Sequence, residues 1–589
     1  MEELNTNTIS SDLPAVTDPL VLKLREERKV AIQYQSRRHE TWREIYELYR
    51  DIVETNELTQ RQEVNVPIMK ETKKTLLSRI DDPPMIEFDC LESGQKGREK
   101  EINLNESWND DYDNCNFEGV DIIEKGNVLL YGRAWKKLNV INGSFKTEAL
   151  DNLDIVSDPK MKPLDVETAR FLIHLHIEKT LKTILADPTY LQTGKDELKS
   201  LLFGEGDDPT GRGAILKSDG EDQTQEAKED ILKSLGINNY DDFVASDVMV
   251  QLAEHFTMIW DEVSKKWVRY VVTMANNSVV LRKRPLKEAI GVEFWPFTTW
   301  ADDVDSKDTW TDGMGDIVLT PNKVMNIYFS TMVENRVYRN LGMSWYLPSK
   351  GYDPQTFEPE PFGQYPAPII KDKTGKVMSV NEVIKQMEIP ALEDNLVSIE
   401  FLIKLVERAT AATAIAKGVQ EKGQTTLGEI EELVESASDR IVSIAKFYRR
   451  AWKEFAEKWR ALKEANAKDT PVTLYKKGAS GEYFKKKIYK KDIYSSDGYK
   501  VKVRSSSELE KEQMTGIKKL FAILQQFPNN AALRKIAQKR LLDNLDLTKE
   551  ELDEITQYEE QNAQQENELG PEVQSLQQTT EQLKTLTSQ

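Results

Sequence analysis

Histidine and cysteine are both scarce: the chain of 589 residues has four His and two Cys. Cys90 and Cys115 cannot make a disulfide framework or a four-cysteine zinc site, and such sparse thiols fit a reducing compartment. With only His39, His174, His176 and His255, a histidine-dependent hydrolase or zinc enzyme has little to work with. His174 and His176, read as lying on one helix, diverge by about 200° and cannot share a metal. Long apolar runs are missing too. No stretch approaches the ~20 apolar residues that span a bilayer, and Met1-Glu2-Glu3-Leu4 does not open like a secretion signal, so a soluble, unexported chain with no membrane partner is expected. Positive charge is the minority: 80 Lys and Arg against 100 Asp and Glu leave a net charge of -20, the reverse of a protein that grips nucleic acid by its phosphates. Tight DNA binding is not expected. Letting DNA slide past a repelling surface is compatible with such a balance.

What is present is enough to fold. Eleven Trp, 20 Tyr and 18 Phe rule out overall disorder, and the length implies several structural units. Helical spacing of apolar residues runs from Leu20 to Asn56, from Lys70 to Ile80 and, in an acidic stretch, from Glu99 to Glu124. The period then shifts to that of a strand between Gly126 and Ile141, with Asn142-Gly143 suggesting a hairpin. Leu164 to Leu185 reads as helix, and Gly204 to Gly220 as a loop. A second β group, Glu254 to Asp261, Lys266 to Met274 and Ser278 to Arg282, turns at Asp261-Glu262 and Asn276-Asn277. Pro321 to Asn340 and Leu392 to Ala416 read as helices on either side of a Pro-studded excursion, Gly342 to Pro390. The strongest periodic element places Leu427, Ile430, Val434, Ala437, Ile441, Ile444, Tyr448, Ala451 and Phe455 in steps of three and four, an apolar stripe down a helix of about ten turns. By periodicity alone it is a long core helix or coiled-coil strand. A basic β-like stretch, a compact set of short helices from Ser505 to Tyr558 and a Gln-rich tail complete the chain. The expected fold class is mixed α+β, predominantly helical.

Three motifs invite a chemical reading. Gly418 to Thr425 has the glycine spacing of a phosphate loop, but Gln424 stands where the lysine belongs and a helix precedes it, so a loop between helices is the better reading. Asp302, Asp303, Asp305, Asp308, Asp312 and Asp316 are dense enough for a cation yet lack the calcium-loop spacing, and a solvated acidic loop is expected, with no metal. Lysines from Lys476 to Lys502, interleaved with Tyr483, Phe484, Tyr489 and Tyr494, could meet nucleic acid by charge and stacking. No further basic stripe extends that footprint, so a solvated strand face is preferred.

The order of parts, from about Leu20 to Tyr558, resembles that of tailed-bacteriophage portal proteins. The helix Trp42-Arg-Glu-Ile-Tyr-Glu-Leu-Tyr49, Asn65-Val-Pro67, Pro83-Pro84, the Tyr131-Gly132 and Trp135 strand and Asp154 to Pro159 are similar to the family's opening and wing. Gly313-Met-Gly-Asp-Ile-Val-Leu-Thr-Pro-Asn322 resembles the start of its stem; Gly418, Gly423 and Thr425-Thr426-Leu-Gly-Glu429-Ile430 resemble its tunnel loop and following helix; Ser505-Ser506-Ser507 and the helices after it resemble its crown. The resemblance implies a flexible start at 1–19, a wing at 20–312, a first stem helix at 313–341, a clip at 342–390, a second stem helix at 391–416 and a tunnel loop at 417–426. A long wing helix with β return follows at 427–504, then a crown at 505–558 and a tail at 559–589 that is disordered or a barrel helix.

It also implies a function without catalysis or cofactors: a dodecameric ring of this chain at one capsid vertex, assembled in the host cytoplasm. Double-stranded DNA would enter through it under the drive of the terminase large subunit and later leave. Major capsid and scaffolding proteins and a head-tail adaptor would be further partners. Lys417, Gln420, Lys422 and Gln424 would face the channel; Trp345, Tyr346, Tyr352, Phe362 and Tyr365 of the clip would dock motor and adaptor. Leu427, Ile430, Val434, Ile441, Ile444 and Tyr448 would pack subunits. A coiled-coil scaffold or adaptor without a channel is the main alternative. A nucleic-acid ATPase-nuclease is less consistent, since it needs an intact phosphate loop and clustered acidic metal ligands.

Overall fold

Asp18 accepts the Leu20 amide at 2.8 Å and Pro19 occupies the first helical position, so helix α1 (Pro19–Ser36) begins with its N-terminal donors satisfied. The computed structural model describes residues 18–52, 64–78, 80, 84–141, 144–203, 215–216, 223–237, 248–341, 344–346, 371, 373–377, 384–386, 394–410, 427–466, 472–477 and 483–504. Among them helix outweighs strand, in a mixed α/β arrangement with several sheets. Outside them lie the expected N-terminal segment up to residue 17, most of the clip, the tunnel loop, the crown and the tail.

The single helix expected from Leu20 to Asn56 is two. After α1 comes α2 (His39–Tyr49), and the break at Arg37-Arg38 frees both guanidinium groups to reach acids on a distant loop and on the first turn of the helix after it. Next are α3 (Ile68–Leu77) and β1 (Met85–Cys90). The acidic stretch is likewise two helices, α4 (Gln95–Asn114) and α5 (Phe117–Tyr131), separated where Asn116 takes a left-handed φ of 53°. Residues Val128 to Tyr131, expected as strand, finish α5. Val128, Leu129 and Leu130 are all buried, and an apolar run covered all round carries no period to tell helix from strand. Gly132 ends it with φ +80°.

Strands β2 (Arg133–Ile141) and β3 (Ser144–Leu150) form the expected hairpin, Ile141 opposite Ser144. After β4 (Ile155–Ser157), the helix expected from Leu164 to Leu185 is instead strand β5 (Phe171–Thr180) followed by the short α6 (Leu181–Ala186). Phe171, Leu172, Ile173, His174 and Leu175 are all buried, as suits a strand inside a sheet covered on both sides. The elements that follow are α7 (Gln192–Phe203), β6 (Ile215–Leu216), α8 (Gln223–Ser234), β7 (Met249–Asp261), β8 (Lys266–Ala275), β9 (Val279–Pro285), α9 (Leu286–Ile290) and β10 (Phe297–Ala301). The largest sheet has the order β4-β5-β7-β8-β9, with β6 parallel to β7; a smaller one has the order β10-β2-β3. The second β group thus matches expectation, including the turn at Asn276-Asn277, where both residues take positive φ.

Helix α10 (Met314–Leu341) starts before Pro321 and contains it, so Ile317 loses one helical hydrogen-bond donor there. Strands β11 (Ser344–Tyr346) and β12 (Ile384–Gln386) pair antiparallel. Two more helices, Asp394–Thr410 and Leu427–Asn466, precede β13 (Val472–Lys477), β14 (Tyr483–Ile488) and β15 (Tyr499–Arg504), the last of which pairs with β1.

The chain divides into two compact units, 1–470 with 493–503, and 471–492 with 504–589. The core of the first joins Trp42, Trp135, Leu172, Phe256, Trp295, Phe297 and Trp310 between the two sheets and the N-terminal helices. Of the second, β13 and β14 with the short turn after them are described.

Candidate subunit interface

Two helices leave much of their surface uncovered by this core. The N-terminal half of α10 is anchored: Val318, Asn322, Met325 and Asn326 are buried, and α10 packs on α2, α3 and α5. Its first turn crosses the end of α5 so closely that a Cβ on Gly315 would lie 2.2 Å from the Leu130 carbonyl oxygen, which is why glycine stands there. Along α10, Asn322, Asn326 and Ser330 recur every fourth residue and zip the segment 64–69 to the helix. Asn322 Oδ1 accepts the Met69 amide at 3.2 Å, its Nδ2 donates to the Val66 carbonyl at 3.1 Å, Asn326 Oδ1 accepts the Val66 amide at 2.9 Å and Ser330 Oγ accepts that of Val64 at 2.9 Å. Side-chain amides here replace the backbone partners that an extended segment beside a helix lacks.

Beyond Asn326 no described side chain of α10 is buried, and the helix Asp394–Thr410 packs beside it. Ile399, Val406 and Thr410 form the buried side of that second helix. Its other side is also apolar: Val397, Phe401 and Leu405, spaced by four, are 69 %, 65 % and 45 % exposed, and Leu396 and, on α10, Ile327 and Val333 are exposed as well. Large apolar side chains repeated along one helical face leave an uncovered stripe of the kind that marks an association surface.

The helix Leu427–Asn466 is held at its C-terminal half by its own chain. Tyr448 donates to Asp121 Oδ1 at 2.8 Å and Trp452 Nε1 to the same oxygen at 3.0 Å, while Lys125 pairs with Asp121 Oδ2 at 2.7 Å. A turn and more further on, Trp459 Nε1 and the Lys463 ammonium both reach Asp111 Oδ2, at 2.9 and 2.7 Å. Between these clamps Phe455 and Trp459 pack edge-on against Phe117 and Trp108. Burial, with the Asp121 carboxylate beside it, holds the Tyr448 phenol far above its ordinary pKa. Burial likewise raises Asp111, against the pull of Lys463.

Tyr448, expected to pack subunits, is therefore a residue of the chain's own core, and Ile444 is half-buried. Leu427, Ile430, Val434 and Ile441 lie in the helix, their side chains outside the described residues. Of the aromatics expected to dock a motor, Trp345 and Tyr346 sit on β11 opposite Lys385 and Ile384; Tyr352, Phe362 and Tyr365 lie outside the described residues, as do Lys417, Gln420, Lys422 and Gln424. The stripe Val397-Phe401-Leu405 was not singled out from sequence. Its signal was a helix with apolar residues on two opposite sides, one more than a single core can cover.

The acidic loop is not simply solvated. Arg37 binds Asp308, and Arg38 bridges Asp312 and Asp316 at 2.8 and 2.7 Å. Burial, with Asp303 beside it, pushes Asp302 up to about 6. No group of three His, Cys, Asp or Glu among the described residues could hold a metal. His174 and His176 lie on β5, not on a helix, and have separate partners: His174 Nδ1 is 2.9 Å from the Lys137 ammonium and His176 Nδ1 is 2.9 Å from Asp154. Burial and Lys137 push His174 down to about 3; Glu254, gripped by Lys137 and Arg282, is held well below the carboxylate range. This is a structural ion network inside the sheet. No helix among the described residues is long and apolar enough to cross a membrane. Compared with known proteins, the chain matches no family model and no curated relative.

Proposed function

We propose that this chain is a portal-type subunit: copies form a ring, the pair of helices α10 and Asp394–Thr410 lines its channel, and double-stranded DNA passes through at a capsid vertex under an external terminase motor. The observation that carries the reading is a pair of adjacent helices with an uncovered apolar stripe, flanking in sequence a Pro-rich excursion of about fifty residues. A stripe of Val397, Phe401 and Leu405 facing water is unfavourable in a monomer, whereas a ring of copies covers it once per subunit. The net charge of -20 supports the same reading, since summed acidic charge keeps a sliding polyanion from sticking. The coiled-coil scaffold is disfavoured because the C-terminal half of the long helix is already packed on its own α4 and α5.

In this reading the chain performs no catalysis. Lys417 and Lys422 make transient phosphate contacts, the clip aromatics dock the motor and then the head-tail adaptor, and capsid and scaffolding proteins meet the wing.

Negative-stain images of the purified protein test the ring. A closed ring with a central hole is expected, and Phe401→Glu with Leu405→Glu should yield monomers with an intact fold. A wild type that stays monomeric at micromolar concentration, or a double variant that still forms rings, would refute it. Changing Lys417 and Lys422 to Ala should leave the ring and alter DNA packaging or retention.

A further inference from the structure

The seven lysines Lys476, Lys477, Lys485, Lys486, Lys487, Lys490 and Lys491 lie within 472–492 beside two acids, Glu482 and Asp492, a local net charge of +5 in a chain of -20. At physiological salt the screening length is about 8 Å, so a ligand meeting this hairpin meets its local charge rather than the charge of the whole protein.

The backbone arranges that charge. Along β14 and the turn after it, burial alternates with a period of two: Lys485, Lys487, Tyr489 and Lys491 are exposed, while Lys486 and Lys490 are half-buried and Ile488 is buried. Lys485 and Lys487, two apart on β14, therefore lie about 7 Å apart, while Tyr489 follows the strand and Lys491 lies in the helical turn Lys490–Asp492. In register, Lys485 stands opposite Tyr475 and Lys487 opposite Thr473, and Lys477 stands opposite Tyr483. Tyr489 is 47 % exposed, and the Lys491 ammonium lies 5.6 Å from its ring centroid. Its backbone amide is tied to Asp492 Oδ2 at 2.9 Å, which fixes the turn that presents the ring.

We propose that this face, Lys485, Lys487, Tyr489 and Lys491, binds single-stranded nucleic acid, the lysines contacting successive phosphates and Tyr489 stacking on a base. Exposed cations alone would serve any polyanion. A half-exposed aromatic ring within the same row selects a ligand with free base faces, which a duplex hides in its stack. The surface belongs to the smaller unit, and the proposal does not rest on the ring.

The test is fluorescence anisotropy of a labelled oligothymidylate, and of a labelled duplex of equal length, titrated with the full chain over a range of KCl concentrations. Wild type should bind the single strand more tightly than the duplex. Lys485→Gln, Lys487→Gln and Lys491→Gln together should weaken binding more than tenfold and reduce the slope of log affinity against log salt by about two. Tyr489→Ala should weaken single-strand binding about tenfold with the slope unchanged, and Tyr489→Phe should restore it. Near-UV circular dichroism like that of wild type establishes that each variant is folded. The proposal fails if the triple variant binds as wild type does. It fails equally if the duplex binds as well as the single strand with Tyr489→Ala silent. A triple variant altered only in sedimentation would mean that the lysines meet an acidic face of a second copy, and would also overturn it.

Discussion

Asp121 is the hinge pin of the long helix, and its removal should be disproportionately costly. Its side chain is fully buried and serves three groups: the Tyr448 hydroxyl, the Trp452 indole N–H and the Lys125 ammonium. In Asp121→Ala the two neutral donors lose their acceptor, at about 1–3 kcal/mol each, and the buried Lys125 ammonium loses its carboxylate, at about 3–5 kcal/mol. These contributions share one site and are not additive; Lys125 also sits 4.9 Å from the Tyr448 ring centroid and keeps that contact. The low end of the sum, about 5 kcal/mol, is the expected loss, comparable to the whole stability of a marginal domain.

Tyr448→Phe, by contrast, removes one donor and leaves Asp121 with two partners, at about 1.5–3 kcal/mol. The measurement is hydrogen exchange resolved along the chain. In Asp121→Ala the amides from 444 to 466 should lose protection while those of β7 and β8, which do not touch this site, keep theirs. If Asp121→Ala costs no more than Tyr448→Phe, the carboxylate is not what organises the docking and the reasoning is refuted.

Asn322→Ala should cost about 2–4 kcal/mol, because the Met69 N–H and the Val66 carbonyl lose their partners, and it should release protection of 64–69 specifically; unchanged exchange there would show that the ladder is incidental. Asp302→Asn should raise the melting temperature at pH 8 and lose that advantage as pH falls to 4. The folded protein holds the Asp302 proton up to about pH 6, well above the 3.8 of the free side chain, so wild-type stability declines as pH rises through that window; a variant-to-wild-type difference independent of pH contradicts this.

Much of the architecture was legible where local chemistry and period agreed. The hairpins at Asp261-Glu262 and Asn276-Asn277 carry both alternation and turn residues, and the long helix carries its stripe from Leu427 to Phe455. Legibility failed where burial erased the period: β5 is apolar on both faces, and the end of α5 is apolar all round. The break at Arg37-Arg38 is fixed by Asp308, Asp312 and Asp316, more than 270 residues away, and no local signal announces such partners. For the candidate interface, sequence placed the two helices and their order but not the uncovered stripe, because exposure is a property of what packs, not of which residues are present. It also assigned Tyr448 to neighbouring subunits, since a periodic stripe does not say whose surface covers it.

That distinction yields the sharpest expectation about assembly. The distal half of α10 and the helix Asp394–Thr410 bury few side chains between them, and isolated helices of this length are marginal in water. Their order in solution must then draw on whatever covers Val397, Phe401 and Leu405. If that cover is another copy, protection of 331–341 and 396–405 rises with protein concentration by mass action, while the Trp452 and Trp459 region, clamped within one chain, stays constant. Amide exchange at two widely separated concentrations tells them apart. Equal protection of the helix pair at both would mean that the stripe is stable uncovered, and the argument from it to a ring would fall.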